Sequence, residues 1–256
     1  AYIFNVNTGA QLHKLQPRNS AYASDGHAPG WQFGSSVSMD GNKVLVGSRY
    51  AVYSGKGVAH YMTFDDYSYS RDESVMANDA NGSADEWSAK FGSSVSLSGN
   101  YAIVGAPGRK PNNRGAAYIF ARNVTPGWTQ LGGDIDGEQS EDKSGYSISM
   151  NGAGTIVAIG SPGTTYGANA DDGHVRIFEY SGGWVQKGGT INAANNNDEC
   201  GKSVSLSQDG LTVAVSSHHY DSSQSRGQLR IFEFSGGDWV QKGGNIEGAA
   251  NDELEI

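Results

Sequence analysis

Short apolar runs return along this chain with one phase. Four of them are unbroken: Val44-Leu45-Val46, Ala102-Ile103-Val104, Val157-Ala158-Ile159 and Val213-Ala214-Val215. Runs this short, apolar at successive positions and bounded by turn residues, predict strands covered on both faces. Each is preceded by an alternating segment rich in small residues. These read Phe33-Gly34-Ser35-Ser36-Val37-Ser38-Met39, Phe91-Gly92-Ser93-Ser94-Val95-Ser96-Leu97, Gly145-Tyr146-Ser147-Ile148-Ser149-Met150 and Cys200-Gly201-Lys202-Ser203-Val204-Ser205-Leu206. Each is followed by a glycine-opened alternating segment, Gly57 to Tyr61, Gly115 to Phe120, Gly173 to Phe178 and Gly227 to Phe232. A tryptophan segment closes three units: Trp128-Thr129-Gln130-Leu131, Trp184-Val185-Gln186-Lys187 and Trp239-Val240-Gln241-Lys242. The unit beginning at Phe33 has no clear match to it, with Tyr67 to Met76 at that place.

The set repeats at a period of about 55 residues, and no window sustains a helical period. Four short strands per unit, separated by Gly, Asn, Asp and Ser, is the pattern of a propeller blade. The expected class is therefore all-β, a β-propeller of four-stranded antiparallel blades. In the first strand, Phe33, Ser35, Val37 and Met39 share one face by alternation, and Gly34, Ser36 and Ser38 the other. That second face, nearly free of side chains, lets a neighbouring sheet come close. The fourth strand mixes Gln, Lys and Thr with its Trp, which suits a solvent-facing edge kept polar against edge pairing. Within one propeller region spanning 1–256, blades are expected at 33–90, 91–143, 144–199 and 200–256, after a partial blade at 1–32.

Composition agrees, with 37 glycines among 256 residues, roughly twice the average usage and suited to turns and close backbone approach. A net charge of −9 speaks against nucleic acid, whose binding rests on clustered Lys and Arg. No apolar stretch is long enough to span a bilayer. Cys200 stands alone, so no intrachain disulfide forms. It occupies the place of Phe33 and Phe91 and reads as a buried, inert small hydrophobe.

Phe33-Gly34 and Phe91-Gly92, with Val104-Gly105-Ala106-Pro107, resemble the two halves of an FG-GAP repeat, the unit of the integrin α-subunit propeller. Trp128-Thr129-Gln130, Asp142 before Gly145, and Ser161-Pro162-Gly163 are similar to its short-hairpin branch, found in secreted and surface proteins. The resemblance spans essentially the whole chain. Departures are Ser144 and Cys200 in place of Phe, Gly47-Ser48-Arg49 and Ser216-Ser217-His218 in place of Gly-Ala-Pro, and Trp31 and Ala89 where later units have Asp142 and Asp198. Integrin-type repeats hold calcium in the hairpin between strands one and two. Here those hairpins, at Asp40, Gly99, Gly152 and Asp209, each offer at most one carboxylate, too few for an ion that takes about six to eight oxygens. No calcium is expected there, and no other metal or cofactor.

Other constellations carry competing readings. His218-His219-Tyr220-Asp221 offers two imidazoles and a carboxylate to zinc, or is an exposed polar loop; no further ligand is identifiable. Asp134 to Glu138, with Glu141 and Asp142, resembles a calcium loop without its spacing. Acid pairs at Glu141-Asp142, Asp198-Glu199 and Asp252-Glu253 could suggest glycosidase chemistry. Their recurrence at one phase favours a structural role, accepting backbone N–H groups in the inter-blade turn. No nucleophile triad, phosphate loop or Cys/His cluster stands out, so a non-enzyme is expected.

Units diverge most in the loops between strands two and three. Candidate ligand-binding residues there are Arg49, Tyr50, Tyr53, Arg109, Lys110, Arg114, Tyr166, Asp171, Asp172, His218, His219, Tyr220 and Asp221. Exposed Tyr and Arg are enriched at binding hot spots, while variable solvent loops would look the same. Asn81-Gly82-Ser83 and Asn123-Val124-Thr125 are N-glycosylation triplets in expected loops. With the resemblance, they favour an extracellular or cell-surface setting. The expectation is a recognition, adhesion or assembly module binding protein or glycan partners through blade loops. The alternative is a lectin-like or carbohydrate-processing propeller with its site on the loop face or at the axis.

Ala1-Tyr2-Ile3-Phe4 aligns with Ala117-Tyr118-Ile119-Phe120, a third strand, and Leu12 to Leu15 with a fourth. The matching first and second strands are at neither end of the sequence. The expectation is a window on a longer polypeptide, whose further blades, or another subunit, complete a larger ring, seven-bladed being one such closure.

Overall fold

The computed structural model describes residues 1–5, 7–15, 32–49, 57–64, 69–75, 89–122, 127–163, 173–195, 198–218 and 227–249. They form five antiparallel sheets, and among them there is no helix, hence none long and apolar enough to cross a membrane. The first sheet is the pair β1 (Tyr2–Phe4) and β2 (Gln11–Lys14). The second is β3 (Phe33–Asp40), β4 (Lys43–Ser48), β5 (Val58–Phe64) and β6 (Tyr69–Val75), in that order. β6 fills the outer place for which the sequence showed no tryptophan signature. The third holds β7 (Ser94–Ser98), β8 (Tyr101–Ala106), β9 (Ala116–Arg122), β10 (Trp128–Gln130) and β11 (Ile135–Asp136). The fourth holds β12 (Ser147–Met150), β13 (Ile156–Ser161), β14 (His174–Tyr180), β15 (Trp184–Gln186) and β16 (Ile191–Asn192). The fifth holds β17 (Cys200–Leu206), β18 (Thr212–Ser217), β19 (Gln228–Ser235), β20 (Asp238–Gln241) and β21 (Ile246–Glu247). This is a β-propeller, with four blades complete and a fifth represented by β1 and β2.

Two details differ from the sequence reading. The outer position of the last three blades is split. β10 pairs with the far half of β9, at Phe120 to Arg122, and β11 returns to pair with Ala116 and Ala117. Gly132-Gly133 interrupts the strand, and the same break occurs at Gly188-Gly189 and Gly243-Gly244. In β3, strict alternation fails at a bulge between Phe33 and Ser36. Ser35, expected on the Val37 face, sits in the bulge and joins Ser36 in donating to the Gly92 carbonyl oxygen of the next blade (3.1 and 2.9 Å).

The cores lie between sheets rather than within one. Leu45, Ala59 and Tyr61 of one blade pack with Val95, Leu97 and Tyr118 of the next. Ile103, Ile119 and Ile135 pack with Ile148, Met150 and Ile159 in the same way. Ala158, Ile177 and Ile191 pack with Val204, Leu206 and Val215. Full burial of such a side chain contributes about 1.5–3 kcal/mol.

The small face of each first strand is what allows this closeness. Ser94 Oγ donates to Gly145 O (2.7 Å) and Ser147 Oγ to Gly201 O (2.8 Å). A Cβ built on Gly105 or Gly160 would lie inside those carbonyl oxygens, so only glycine fits on the second strand there. Further staples join the rims. Trp184 Nε1 donates to Leu131 O and Trp239 Nε1 to Lys187 O, both at 2.7 Å. Arg176 donates to Asp136 O (2.6 Å) and Arg230 to Asn192 O (2.7 Å).

Cover differs between equivalent positions of the first and last complete blades. Met39 is 60% exposed where its counterpart Leu97 is 6%, and Ile246 is 50% exposed where Ile191 is 4%. The first sheet still packs on the second, Ala1, Ile3 and Leu15 meeting Val44, Val46 and Met62, without reaching far enough to cover Met39.

Candidate functional site

Each first strand enters through the same tight turn. A non-glycine residue in the left-handed region comes first: Gln32 (φ 45°), Lys90 (φ 56°), Lys143 (φ 55°) and Glu199 (φ 52°). Two residues later comes a left-handed glycine, Gly34, Gly92, Gly145 or Gly201. The next N–H folds back on the leading carbonyl, Ser35 onto Gln32 (3.1 Å), Ser93 onto Lys90 (3.1 Å) and Tyr146 onto Lys143 (3.0 Å). The turn is thus fixed by backbone, and it presents two side chains per blade whose identity the backbone does not dictate. Those pairs are Gln32 and Ser35, Lys90 and Ser93, Lys143 and Tyr146, and Glu199 and Lys202.

Between the first three complete blades these turns enclose a cavity of about 320 Å³, lined by Ser35, Arg49, Lys90, Ser93, Pro107, Asn113, Lys143 and Tyr146. Arg49 reaches it from the end of β4, with its Nε donating to the Gln32 side-chain oxygen. Ser93 Oγ donates to the Lys90 carbonyl (2.7 Å). Beyond Tyr146, Lys202 pairs with Glu199 (2.7 Å) and lies 5.1 Å from the Tyr146 ring centroid. Burial works to lower the Lys202 pKa, but Glu199 and Tyr146 outweigh it and leave the ammonium above its ordinary value.

Of the nominated loop residues that the structure describes, Arg49 alone lines this cavity. Arg109 is not a free binding group. Its guanidinium pairs with Asp134 (2.8 Å) and Asp136 and sits over the Tyr118 ring. Arg114 is likewise committed, its Nε donating to the Gly137 carbonyl. Acids in the following inter-blade segment hold Arg109, and the backbone of that segment holds Arg114. Lys110 is exposed and His218 half-buried, both apart from the cavity lining. Tyr50, Tyr53, Tyr166, Asp171, Asp172, His219, Tyr220 and Asp221 lie outside the described residues, as do the triplet residues Asn81 and Asn123.

The acids have structural partners. Asp142 accepts the N–H groups of Glu138 (2.6 Å) and Gln139 (2.7 Å), and Asp198 accepts that of Asn195 (2.8 Å). In the hairpins, Asp40 accepts Gly99 N–H from the neighbouring blade (2.6 Å) and Asp209 accepts Leu211 N–H (2.9 Å). Among the described residues no group of three or more His, Cys, Asp and Glu could hold a metal ion. Cys200 is fully buried, and burial pushes its thiol pKa up, against the nearby Arg230 (3.3 Å from Sγ).

The sequence route missed Lys90, Lys143, Tyr146 and Lys202. Their signal was available, since they stand at fixed offsets around the repeated glycine, but that phrase reads as architecture.

Residues 70–120 match the FG-GAP repeat family. No curated protein matches the chain. Among solved structures, that of a hypothetical selenium-binding protein from Sulfolobus tokodaii is similar at TM-score 0.50 and 10% identity, over 82% of this chain and 53% of that one. The chain spans about half the length of that structure, and likeness at this identity carries the fold alone. The matched segment runs from the outer strand of one blade through the third strand of the next, and the other units keep its landmarks in phase. The chain is a β-propeller that carries a match to the FG-GAP repeat over residues 70–120.

Proposed function

We propose that this propeller is a non-enzymatic extracellular recognition module, binding a protein or glycan partner on the face where the first strands begin. One observation carries the reading: the residues shown at the rim change from blade to blade while the turn beneath them is constant. Gln32, Lys90, Lys143 and Glu199 share one backbone conformation, and Ser35, Ser93, Tyr146 and Lys202 share the next displayed position. Variation confined to displayed side chains on a fixed frame is how a scaffold tunes a binding surface. The non-enzymatic part is supported by the acid pairs, whose aspartates cap backbone N–H groups. The extracellular part rests on the family resemblance and the two triplets.

The test is a glycan array and a panel of purified surface-protein domains, probed with wild type, Tyr146→Ala and the outer-edge variant Thr129→Ala. Binding should fall with Tyr146→Ala and hold with Thr129→Ala. Binding that maps to the outer edge, or turnover in a parallel glycoside-hydrolase panel, would refute it.

A further inference from the structure

We propose that the cavity rimmed by Arg49, Lys90 and Lys143 is a binding site for an oxyanion group of sulfate or phosphate type. The proposal deepens the recognition reading, and rests on it only for the idea that a larger ligand carries the group.

The cavity's charge runs against that of the chain. The chain has 27 acidic and 18 basic residues, so a cavity drawn at random from its surface would be rich in carboxylates. Among the described residues this one is lined by three cations and no carboxylate. They come from three separate places, the end of β4 and the turns before β7 and β12.

Nor does the backbone call for lysine at these turns. A left-handed residue is best served by Gly, Asn or Asp, and a long side chain gains nothing there. The same turn is built with Gln32 in one blade and Glu199 in another. Where the residue is Glu199, Lys202 neutralises it at 2.7 Å. Where it is Lys90 or Lys143, neither ammonium has an ion-pair or hydrogen-bond partner among the described residues. Both lysines are half-buried. Two like charges sharing one concave site repel, and an anion between them converts that repulsion into attraction.

Shape and donor chemistry narrow the ligand. Ammonium and guanidinium groups only donate, and a tetrahedral oxyanion only accepts. The Gln32 contact fixes the Arg49 guanidinium at the rim. The hydroxyls of Ser35 and Ser93 already donate to Gly92 O and Lys90 O, so they shape the wall. A volume of about 320 Å³ exceeds a bare oxyanion and leaves room for part of a carrier, such as the sugar ring of a sulfated glycan.

The test uses the full chain and the Lys90→Gln/Lys143→Gln double variant, with circular dichroism confirming the fold of each. Sodium sulfate is titrated calorimetrically at ionic strength matched with sodium chloride, beside a sulfated heparin-type tetrasaccharide and its desulfated counterpart. Sulfate should bind to wild type, and the double variant should weaken it by about tenfold or more. Should the double variant misfold, the single variants and Arg49→Lys supply the comparison. Tetrasaccharide binding that needs its sulfates supports the site with a glycan as carrier. Sulfate binding lost in the variant, without tetrasaccharide binding, supports the site with a free ion and tells against a glycan partner. Sulfate no better than chloride, or binding indifferent to the lysines, overturns the proposal. A partner that still maps to this face in that case leaves the recognition reading standing.

Discussion

Gly160→Ala tests the account of how blades meet. Gly160 lies on β13 with no positive φ, so alanine brings no backbone strain. Its Cβ, however, would occupy the space of the Gly201 carbonyl oxygen and the Ser147 hydroxyl. The carbonyl belongs to the next blade, where Gly201 is itself wedged: a Cβ there would lie 3.1 Å from Gly160 Cα and 2.6 Å from His174 O. The sheets must therefore part. Overpacking of this kind costs about 1–3 kcal/mol, and loss of the Ser147–Gly201 hydrogen bond (2.8 Å) about 0.5–1.5 kcal/mol more. Together they predict a destabilisation of about 1.5–4.5 kcal/mol. With a urea m-value of about 3 kcal/mol/M, the midpoint should fall by about 1 M. The control is Gly183→Ala, which meets nothing within 4 Å and also has no positive φ. It should stay within about 0.5 kcal/mol of wild type. A Gly160→Ala midpoint indistinguishable from that control would refute the close-approach argument.

Two other outcomes follow from the junction between the last two complete blades. Cys200, fully buried with its thiol pKa raised, should resist a thiol reagent at pH 8 in the folded protein and react at once in denaturant. Fast labelling of native protein would contradict its place in the core. Asp238 accepts N–H groups from Gly189 of the preceding blade (2.7 Å) and from Trp239 (2.8 Å), and the Gly189 bond foremost holds its carboxyl below the ordinary value. A lowered folded pKa stabilises above the unfolded value of about 3.9 and is lost as pH falls through the folded one. Asp238→Asn should therefore lower Tm at pH 7, by a gap that closes as the pH falls through the lowered carboxyl pKa. A gap constant across that range would remove the charge from the explanation.

The blades were legible because their signals are long and phased. The apolar run of β13 is buried at every residue, as its unbroken hydrophobicity requires. The split outer strand was not legible. β11 and β16 are two residues each, and their pairing with the near half of strand three depends on the chain turning back at a Gly-Gly step. The cavity was hidden for a different reason. Lys90 and Lys143 matter through charges that meet in space from turns of separate blades, while the sequence reading looked to the loops between strands two and three. Arg109 shows the converse: an exposed-looking cation whose acids, Asp134 and Asp136, are supplied only by the fold.

Gly47, Gly105 and Gly160 each face the carbonyl of Gly92, Gly145 or Gly201 in the following blade. The equivalent place in the last complete blade holds Ser216, whose hydroxyl instead accepts Ser203 N–H of its own sheet (2.9 Å). The units therefore look like copies but are not interchangeable. A copy of this unit set directly before the Gly92, Gly145 or Gly201 turn would bring a side chain against that carbonyl, and it would fit there only with glycine in place of the serine.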